Sequence, residues 1–235
     1  MFVSASLLLL TLLVWFQVLH PAAGAPSLHG GKDSEIIYDP KAPVFHLSKE
    51  IYHHRDIPFK PQVGDGPFDT YLQLTLQYDP IKDLFSDLKE TAGVGNITSR
   101  GEAHITVISP PEFANILSKV GITGNDINNI ALKNHIQSAK FRAVCLGRVK
   151  GSLPTDKTNT QQELYSVVVD DVGGTMLKIR RDIYQLYRAK GGVGAFFSPE
   201  EFQPHITVGF TKKDLFPENG VFKGRNMCWA PINTH

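Results

Sequence analysis

The chain has 235 residues, of which 42% are hydrophobic and 20% are charged. This composition excludes a disordered, collagenous or coiled-coil protein and suffices for one large domain or two small ones. The 24 Lys and Arg residues nearly balance the 23 Asp and Glu residues, which leaves a formal net charge of +1. No protein-wide field therefore attracts long nucleic acids, and a charged substrate must be held by a local site.

The N-terminal segment is typical of a secretory signal peptide. Residues 2–19 are almost wholly apolar, and small residues follow at 22–25. We expect cleavage after Gly24, so that residues 1–24 are removed and the mature chain is secreted or resides in the lumen of the secretory pathway. An uncleaved membrane anchor is the alternative, because about 20 apolar residues span a bilayer. After cleavage we expect no stable membrane contact.

The next segment, residues 25–68, combines many prolines and glycines with no extended apolar period. This pattern predicts an irregular leader that drapes over the domain or hangs free. The regular part of the chain begins after it, so residues 69–235 are expected to form a single domain.

The first half of this domain predicts alternating strands and helices. Asp79 and Pro80 supply an N-cap and a first-turn proline, and Gly93 lies just beyond the end of the apolar helical pattern. In chain order, the predicted elements are a strand at 71–76, a helix at 79–92, a strand at 103–108, a helix ending at Gly121 and a weaker helix at 125–137.

The second half predicts a hairpin, a long helix and a last strand. Strands at 141–150 and 164–170 are joined by a polar loop. An amphipathic helix that includes Met176 follows, closed by glycines at 191–192, and the last strand lies at 205–210. Clustered strand pairs with helices between them indicate an α+β fold of two pseudo-symmetric, ferredoxin-like split halves with antiparallel sheets.

The strongest functional signal is a repeated tetrapeptide. His-Ile-Thr-Val occurs at 104–107 and again at 205–208, each time on a predicted strand that follows a predicted helix. Each copy also precedes a predicted helix start, with capping-box spacing at 109–112 and a hydroxyl cap with a first-turn acid at 211–214. A strand–cap–helix unit that occurs twice indicates an internally duplicated domain.

The alternation of a strand explains why this pattern is suited to catalysis. The His and Thr of each copy share one face, and the Ile and Val share the other. A slip of one residue would turn the polar pair into the core, so burial of the apolar face fixes the register. If a pseudo-twofold axis relates the halves, two imidazoles and two hydroxyls converge on one cleft. The imidazoles can then act as complementary acid and base, while the hydroxyls hold phosphate oxygens.

These paired strands resemble the 2H phosphoesterase superfamily, which includes LigT-like enzymes and 2′,3′-cyclic phosphodiesterases. The flanks at 101–103 and 109–113 are most similar to its Swiss Army Knife branch, which is linked with RNA repair. The resemblance covers roughly residues 69–215 and implies a bilobal sheet fold that requires no metal or cofactor. It also implies a catalytic quartet of His104, Thr106, His205 and Thr207.

The leading hypothesis is a secreted, monomeric, metal-independent phosphodiesterase that opens a cyclic phosphate on a nucleotide or an RNA end. Three alternatives stay open: a non-catalytic nucleotide- or RNA-binding module on the same fold, a zinc hydrolase with the two histidines as ligands, and a structural secreted protein. The zinc alternative is disfavoured because the sequence contains no His-Glu-x-x-His, and neither motif has a second His at ligand spacing.

Other side chains are candidates for supporting roles. Arg142 and Arg148 fall on one face of their strand by parity and are candidates to bind phosphate or base, although a solvated strand edge explains them equally well. Tyr165 is a candidate to stack on a nucleobase, but a buried core position is the favoured interpretation of this aromatic residue. Arg180 and Arg181 are expected on the solvated face of the long helix.

Secretion also gives the two cysteines a specific meaning. In an oxidising compartment we expect Cys145 and Cys228 to pair and to tie the C-terminal segment to the domain; two unpaired thiols are the alternative. The bond would close a loop of about 80 residues and stabilise the fold by about 4 kcal/mol in the chain-entropy description. Asn96 begins an Asn-Ile-Thr sequon in a glycine-rich loop and is a candidate glycosylation site.

Overall fold

A computed structural model of the chain describes residues 35–151, 162–215 and 221–235. The predicted signal peptide and the start of the predicted leader lie outside the described residues, as does most of the predicted polar loop between the hairpin strands. The described residues belong to one compact unit.

The architecture is a mixed α/β fold built on an antiparallel sheet. The strands are β1 (Phe45–Leu47), β2 (Leu72–Leu76), β3 (Ala103–Ile108), β4 (Phe141–Gly151), β5 (Gln162–Asp171), β6 (His205–Phe210), β7 (Cys228–Ala230) and β8 (Ile232–Thr234). Six of them form one sheet in the order β2-β3-β6-β5-β4-β7, in which all neighbours are antiparallel. Strands β1 and β8 form a separate parallel pair.

Four α-helices connect these strands in the described part of the chain. They are α1 (Asp79–Thr91), α2 (Pro110–Glu112), α3 (Gly124–Lys133) and α4 (Thr175–Ala189). The predicted weaker helix corresponds to α3, which begins with a capping box between Thr123 and Asp126. No helix among the described residues is both long enough and apolar enough to cross a bilayer.

The segment after the first motif has the predicted cap but only a short regular helix. The Ser109 hydroxyl accepts from the Glu112 N–H, and the Glu112 carboxylate accepts from the Ser109 N–H. The chain then passes through a π-helix (Phe113–Leu117) and a 3₁₀ turn, and it ends at Gly121 in the left-handed region. After the second motif no helix begins in the described residues 211–215, so the predicted helix start there is wrong for that part of the chain.

The core lies between the helices and one face of the sheet. The apolar residues of both motifs belong to it: Ile105, Val107, Ile206 and Val208 are at most 1% exposed. Helix α1 packs against β6 and helix α4 against β3, so each helix supports a motif strand. Burial of one such side chain stabilises the fold by about 1.5–3 kcal/mol, which holds the polar face of both strands outward from this core.

The described part of the predicted leader contributes to the core. Strand β1 and a 3₁₀ helix (Lys49–Tyr52) lie within it, and Phe45, Leu47 and Ile51 are fully buried. The predicted boundary at residue 69 therefore does not separate this segment from the domain. A three-residue strand is too short to produce a periodic signal, and its parallel partner β8 is nearly 190 residues away in sequence.

Two strand–helix–strand units, β2–α1–β3 and β5–α4–β6, meet at the centre of the sheet. One continuous sheet holds both units, whereas the sequence predicted separate sheets in two halves. The α and β composition with antiparallel strands is confirmed. The pseudo-symmetric division into ferredoxin-like halves stays a prediction.

Candidate active site

The two motif strands are neighbours at the centre of the sheet. Their isoleucines, Ile105 and Ile206, are paired in antiparallel register. Continuing this register by one residue on each side sets the His of each motif opposite the Thr of the other. Directly opposed residues share a face of a sheet, so all four polar side chains lie on the face away from the core. The structure thus brings together His104, Thr106, His205 and Thr207.

Each motif ends in a β-bulge at the same position. Val107 is skipped in the pairing of β3 with β2, and Val208 is skipped in the pairing of β6 with β5. A bulge bends a strand and re-aims the side chains beside it, and bulges are frequent next to active sites. The two copies therefore share a backbone irregularity as well as a sequence.

The outer neighbours of the motif strands continue the polar face. On β2, Gln73 and Thr75 lie opposite the Thr and His of the first motif. On β5, Ser166 lies opposite the Thr of the second motif. All three are buried, and within the described chain Gln73 Oε1 and Ser166 Oγ have no hydrogen-bond partner. The sequence analysis missed them, although the alternation of Gln and Thr with Leu in β2 was an available signal.

His104 lies beside a carboxylate. Its Nδ1 is 3.4 Å from Glu102 Oε1. The His104 side chain is only 8% exposed. This polar contact with His104 is the main cause that lowers the pKa of the Glu102 carboxyl. The ring of Tyr71 lies 6.3 Å from the imidazole, centroid to centroid. Burial, reinforced by the Glu102 charge, raises the pKa of Tyr71, so its phenol stays neutral.

His205 has a different set of neighbours. Its Nδ1 is 2.8 Å from the backbone oxygen of Gln203. A carbonyl oxygen can only accept, so Nδ1 carries the hydrogen and Nε2 of the neutral ring keeps its lone pair. Burial, reinforced by the charge of Lys223, lowers the pKa of His205 to about 3. The ring is therefore neutral near pH 7.

A buried ion cluster lies beside His205. Lys223 Nζ is 2.9 Å from Asp214 Oδ1. Nη2 of Arg100 donates to Oδ2 of the same carboxylate at 2.5 Å. Burial opposes the charge of Asp214, but Lys223 and Arg100 hold the pKa of its carboxyl below the ordinary value. Asp214 is thus an ion-pair partner rather than a first-turn helix acid. The sequence analysis missed this cluster because its three members come from separate segments.

A comparison with protein families identifies this arrangement. The family model described as Swiss Army Knife, 2H phosphoesterase domain, matches residues 70–216, which include both motifs. The chain belongs to this 2H phosphoesterase family. Neither the curated proteins nor the solved structures contain a significant match to the chain.

Membership in the 2H phosphoesterase family indicates a hydrolase of the phosphoesterase kind with a phosphodiester substrate. In the described ranges, no group of three or more His, Cys, Asp or Glu side chains is arranged to hold a metal ion. The quartet of His and Thr side chains lies on one face of the sheet of this 2H domain.

The prediction that Arg142 and Arg148 share one face of their strand is wrong, because β4 contains a bulge between them. The register with β5 shifts between Ala143 and Cys145, so Arg142 and Arg148 lie on opposite faces of the sheet. The side chain of Arg142 is 67% exposed and bonds to Asp170. Strand β5 separates β4 from β6, so Arg142 is two strands away from the nearest motif.

The other two auxiliary candidates lie on the core side of the sheet. Tyr165 is fully buried and donates to Glu163 Oε2 at 2.6 Å. Arg148 bonds to the same carboxylate, and its guanidinium lies over the rings of Tyr165 and Trp229. Although burial opposes it, these hydrogen bonds hold the pKa of Glu163 at about 2. Tyr165 and Arg148 thus lie on the face opposite the quartet, and the buried core position favoured for Tyr165 agrees with the structure.

Arg180 is buried rather than solvated, contrary to prediction. It is 2% exposed and donates to the backbone oxygen of Val107, to the Glu112 carboxylate and to backbone oxygens at 198–199. It therefore joins the bulge of the first motif to the segment that leads into the second. Arg181 is exposed, as predicted.

The predicted disulfide is confirmed. Cys145 of β4 and Cys228 of β7 are bonded, with Cα atoms 5.6 Å apart. The bond fixes the C-terminal segment, five residues beyond Lys223, to the sheet of the 2H domain. Asn96 is exposed in the connection between α1 and β3, where a glycan has room; its glycosylation stays a prediction.

Proposed function

We propose that this chain is a secreted, monomeric, metal-independent phosphodiesterase that opens a cyclic phosphate on a nucleotide or an RNA end. The observation that carries the proposal is the placement of both His-x-Thr pairs on one face of two adjacent strands. Family membership supports the phosphoester chemistry. The cyclic substrate is proposed because a strained ring ester is opened by one water in one displacement.

The strand register supports a division of labour around one phosphorus. Each His lies opposite the Thr of the other motif, so the two histidines occupy diagonal positions, about 7–8 Å apart at their Cα atoms. This spacing leaves room for a phosphate between the imidazoles. The hydroxyls of Thr106 and Thr207 then donate to its non-bridging oxygens, while one imidazole takes a proton from water and the other protonates the leaving oxygen.

Secretion is supported by two independent features. The apolar segment at 2–19 followed by small residues is typical of a signal peptide. The disulfide between Cys145 and Cys228 is typical of oxidising compartments and uncommon in the cytosol. The proposed substrate is accordingly a nucleotide or RNA end that is present outside the cell or in the secretory pathway.

The test is an assay of the hydrolysis of nucleoside 2′,3′-cyclic phosphates in excess EDTA. The measured quantity is the amount of nucleoside monophosphate that forms. We expect turnover by the wild-type protein and a loss of about 10²–10⁴-fold in kcat for His104→Ala and for His205→Ala. His53→Ala is the matched control, since His53 is an exposed His whose side chain pairs with Glu50 on the surface. It should keep full activity.

Three results would contradict the proposal. Full activity in either motif variant removes the assigned roles of the histidines. Binding of the cyclic nucleotide without turnover identifies the non-catalytic nucleotide- or RNA-binding module instead. Turnover that is absent in EDTA and appears only when a metal is supplied excludes the metal-independent mechanism.

A further inference from the structure

We infer that the C-terminal segment 223–228 positions the imidazole of His205 for the proposed reaction, and that it does so through Gln203. The disulfide between Cys145 and Cys228 holds this segment in place. The inference rests on the proposed function and adds to it positioning residues that lie outside both repeated motifs. Full turnover then depends on an intact disulfide.

The 223–228 segment packs on the same face of the sheet as the quartet. Cys145 is paired with Val168, and Val168 is paired with His205. Directly opposed residues share a face of a sheet, so Cys145 lies on the face of His205, two strands away. Buried Cys145 and Val168 form a small apolar cluster with Met227, separate from the main core. The disulfide and the segment therefore lie beside the active site rather than on the core side.

Two further contacts fix the 223–228 segment to the sheet. Arg225 donates to both carboxylate oxygens of Asp170, at 2.8 and 2.9 Å. The side chain of Met227 lies over Gly147, where a Cβ atom would be only 2.7 Å from Met227 Cγ. Residues 225–227 form a 3₁₀ turn, which connects the disulfide to the start of the segment over five residues. The position of that start is thus tied to the disulfide.

Gln203 joins the start of the 223–228 segment to His205. Its side-chain Oε1 accepts from the Lys223 N–H at 2.5 Å. Its backbone oxygen accepts from Nδ1 of His205 at 2.8 Å. A hydrogen bond at Nδ1 fixes the rotation of an imidazole, so the direction of Nε2 depends on the position of this oxygen. One residue therefore contacts the segment through its side chain and the motif histidine through its backbone.

The direction of the His205 ring matters because proton transfer needs close contact. An imidazole must approach the group with which it exchanges a proton to about 2.6–3.2 Å. A displacement of about 1 Å can lower a rate by about 10²-fold. The proposed phosphate-binding hydroxyls, those of Thr106 and Thr207, do not depend on this ring. Loosening Gln203 should therefore lower kcat far more than it raises KM.

The first arm of the experiment changes Gln203 and keeps the disulfide. Gln203→Met removes the side-chain acceptor at nearly constant volume, and we expect kcat on a 2′,3′-cyclic nucleotide in EDTA to fall about tenfold while KM changes less than about twofold. Gln203→Glu keeps an acceptor for the Lys223 N–H and should restore most of the rate. Gln77→Met is the matched control, because Gln77 is an exposed Gln that bonds to the backbone oxygen of His53. It should keep the wild-type kcat.

The second arm removes the disulfide. The double variant Cys145→Ala, Cys228→Ala should unfold cooperatively at a lower Tm, and its kcat should fall about tenfold, as in Gln203→Met. A dithiol reductant should lower the wild-type kcat equally: it gives two electrons and two protons to the disulfide, which becomes two thiols, and is itself oxidised to a disulfide. Reoxidation should restore the rate, and the double variant should not respond to the reductant.

The third arm observes the histidine rings without turnover. Long-range ¹H–¹⁵N NMR of the full chain, with signals assigned from His104→Ala and His205→Ala, follows the hydrogen on each ring. We expect the Nδ1–H of His205 to exchange faster with water in Gln203→Met and in the double cysteine variant. The His104 signals should not change, because its polar neighbour Glu102 lies in another part of the chain.

The outcomes separate the inference from the proposed function. If Gln203→Met keeps the wild-type kcat and the wild-type His205 signal, the inference is overturned and the proposed function stands. A double cysteine variant that loses activity with an unchanged His205 signal also overturns the inference, because the disulfide then acts on the fold as a whole. If the wild-type protein opens no cyclic phosphate, the proposed function fails, and the His205 signals of the variants still decide whether the 223–228 segment holds the ring.

Discussion

The two copies of His-Ile-Thr-Val have the same sequence, the same register position and a bulge at the same valine, yet their polar partners differ. The first His lies beside the Glu102 carboxylate, and the second bonds to a backbone oxygen near the buried Lys223. The segments that follow the copies also differ: a capping box after the first and an ion-pair residue, Asp214, after the second. A repeated motif therefore fixes which face its side chains occupy, while residues outside the motif give the two histidines different polar neighbours.

The largest expected loss of stability follows from replacing Arg180, which connects the first motif to the segment that leads into the second. Arg180→Met removes the donor to the Val107 backbone oxygen and leaves Glu112 without its cation. We expect a loss of about 3 kcal/mol in the free energy of unfolding, at the lower end for a broken buried pair because Glu112 is partly exposed. Urea unfolding of Arg180→Met measures this loss.

Arg181→Met is the matched control for that measurement, since the neighbouring side chain is exposed and pairs with an exposed Glu200. It should change the unfolding free energy by less than about 1 kcal/mol. Equal losses in the two variants would show that Arg180 does not hold the copies together.

The second prediction uses the low pKa of His205, which distinguishes the second copy. An unfolded imidazole binds a proton near pH 6.5, whereas burial lowers the folded pKa to about 3. The folded state thus binds fewer protons between these values, and its stability falls as the pH falls below 6.5. The contribution is at most about 1.4 kcal/mol per pH unit.

His205→Asn removes this contribution, so the stability curves of wild type and variant should converge as the pH is lowered from 7 toward 4. Urea unfolding at each pH measures both curves, and other titrating groups contribute equally to the two. Parallel curves would show that His205 is not held neutral by its surroundings.

The smallest expected change in stability concerns the segments that follow the two motifs, because Ser109 caps a helix and Thr211 does not. Ser109→Ala removes a helix cap and should cost about 1 kcal/mol, which Ser109→Asp should largely restore because a carboxylate also accepts from the helix N–H groups. Thr211 is not a cap: its hydroxyl accepts from the Glu163 N–H and donates to Gln162 Oε1.

Thr211→Ala should also cost about 1 kcal/mol. Thr211→Asp should not restore the loss, because a carboxylate cannot donate to the Gln162 oxygen. Thermal unfolding of the four variants tests this difference, and an equal rescue at both positions would contradict it.

Sequence periodicity predicted most of the regular elements correctly. The strand at 103–108 and the helix at 79–92 agree closely with β3 and α1, because alternation and helical spacing are local properties of the chain. The prediction failed where one residue or one distant partner decided the outcome. The bulge in β4 reversed the face of Arg142 relative to Arg148, and short strands such as β1 depend on a partner at the other end of the chain.

The sequence alone determined that the His and Thr of each motif share a face, since strand alternation and burial of Ile and Val leave one register. It also predicted the pairing of Cys145 with Cys228, which the structure contains. Only the tertiary structure decided that the two motifs are adjacent strands, that Arg180 is buried, and that Glu102 and Lys223 lie beside different histidines. The physical reason is that alternation acts over a few residues, whereas a charge environment is assembled from segments that only the complete fold brings together.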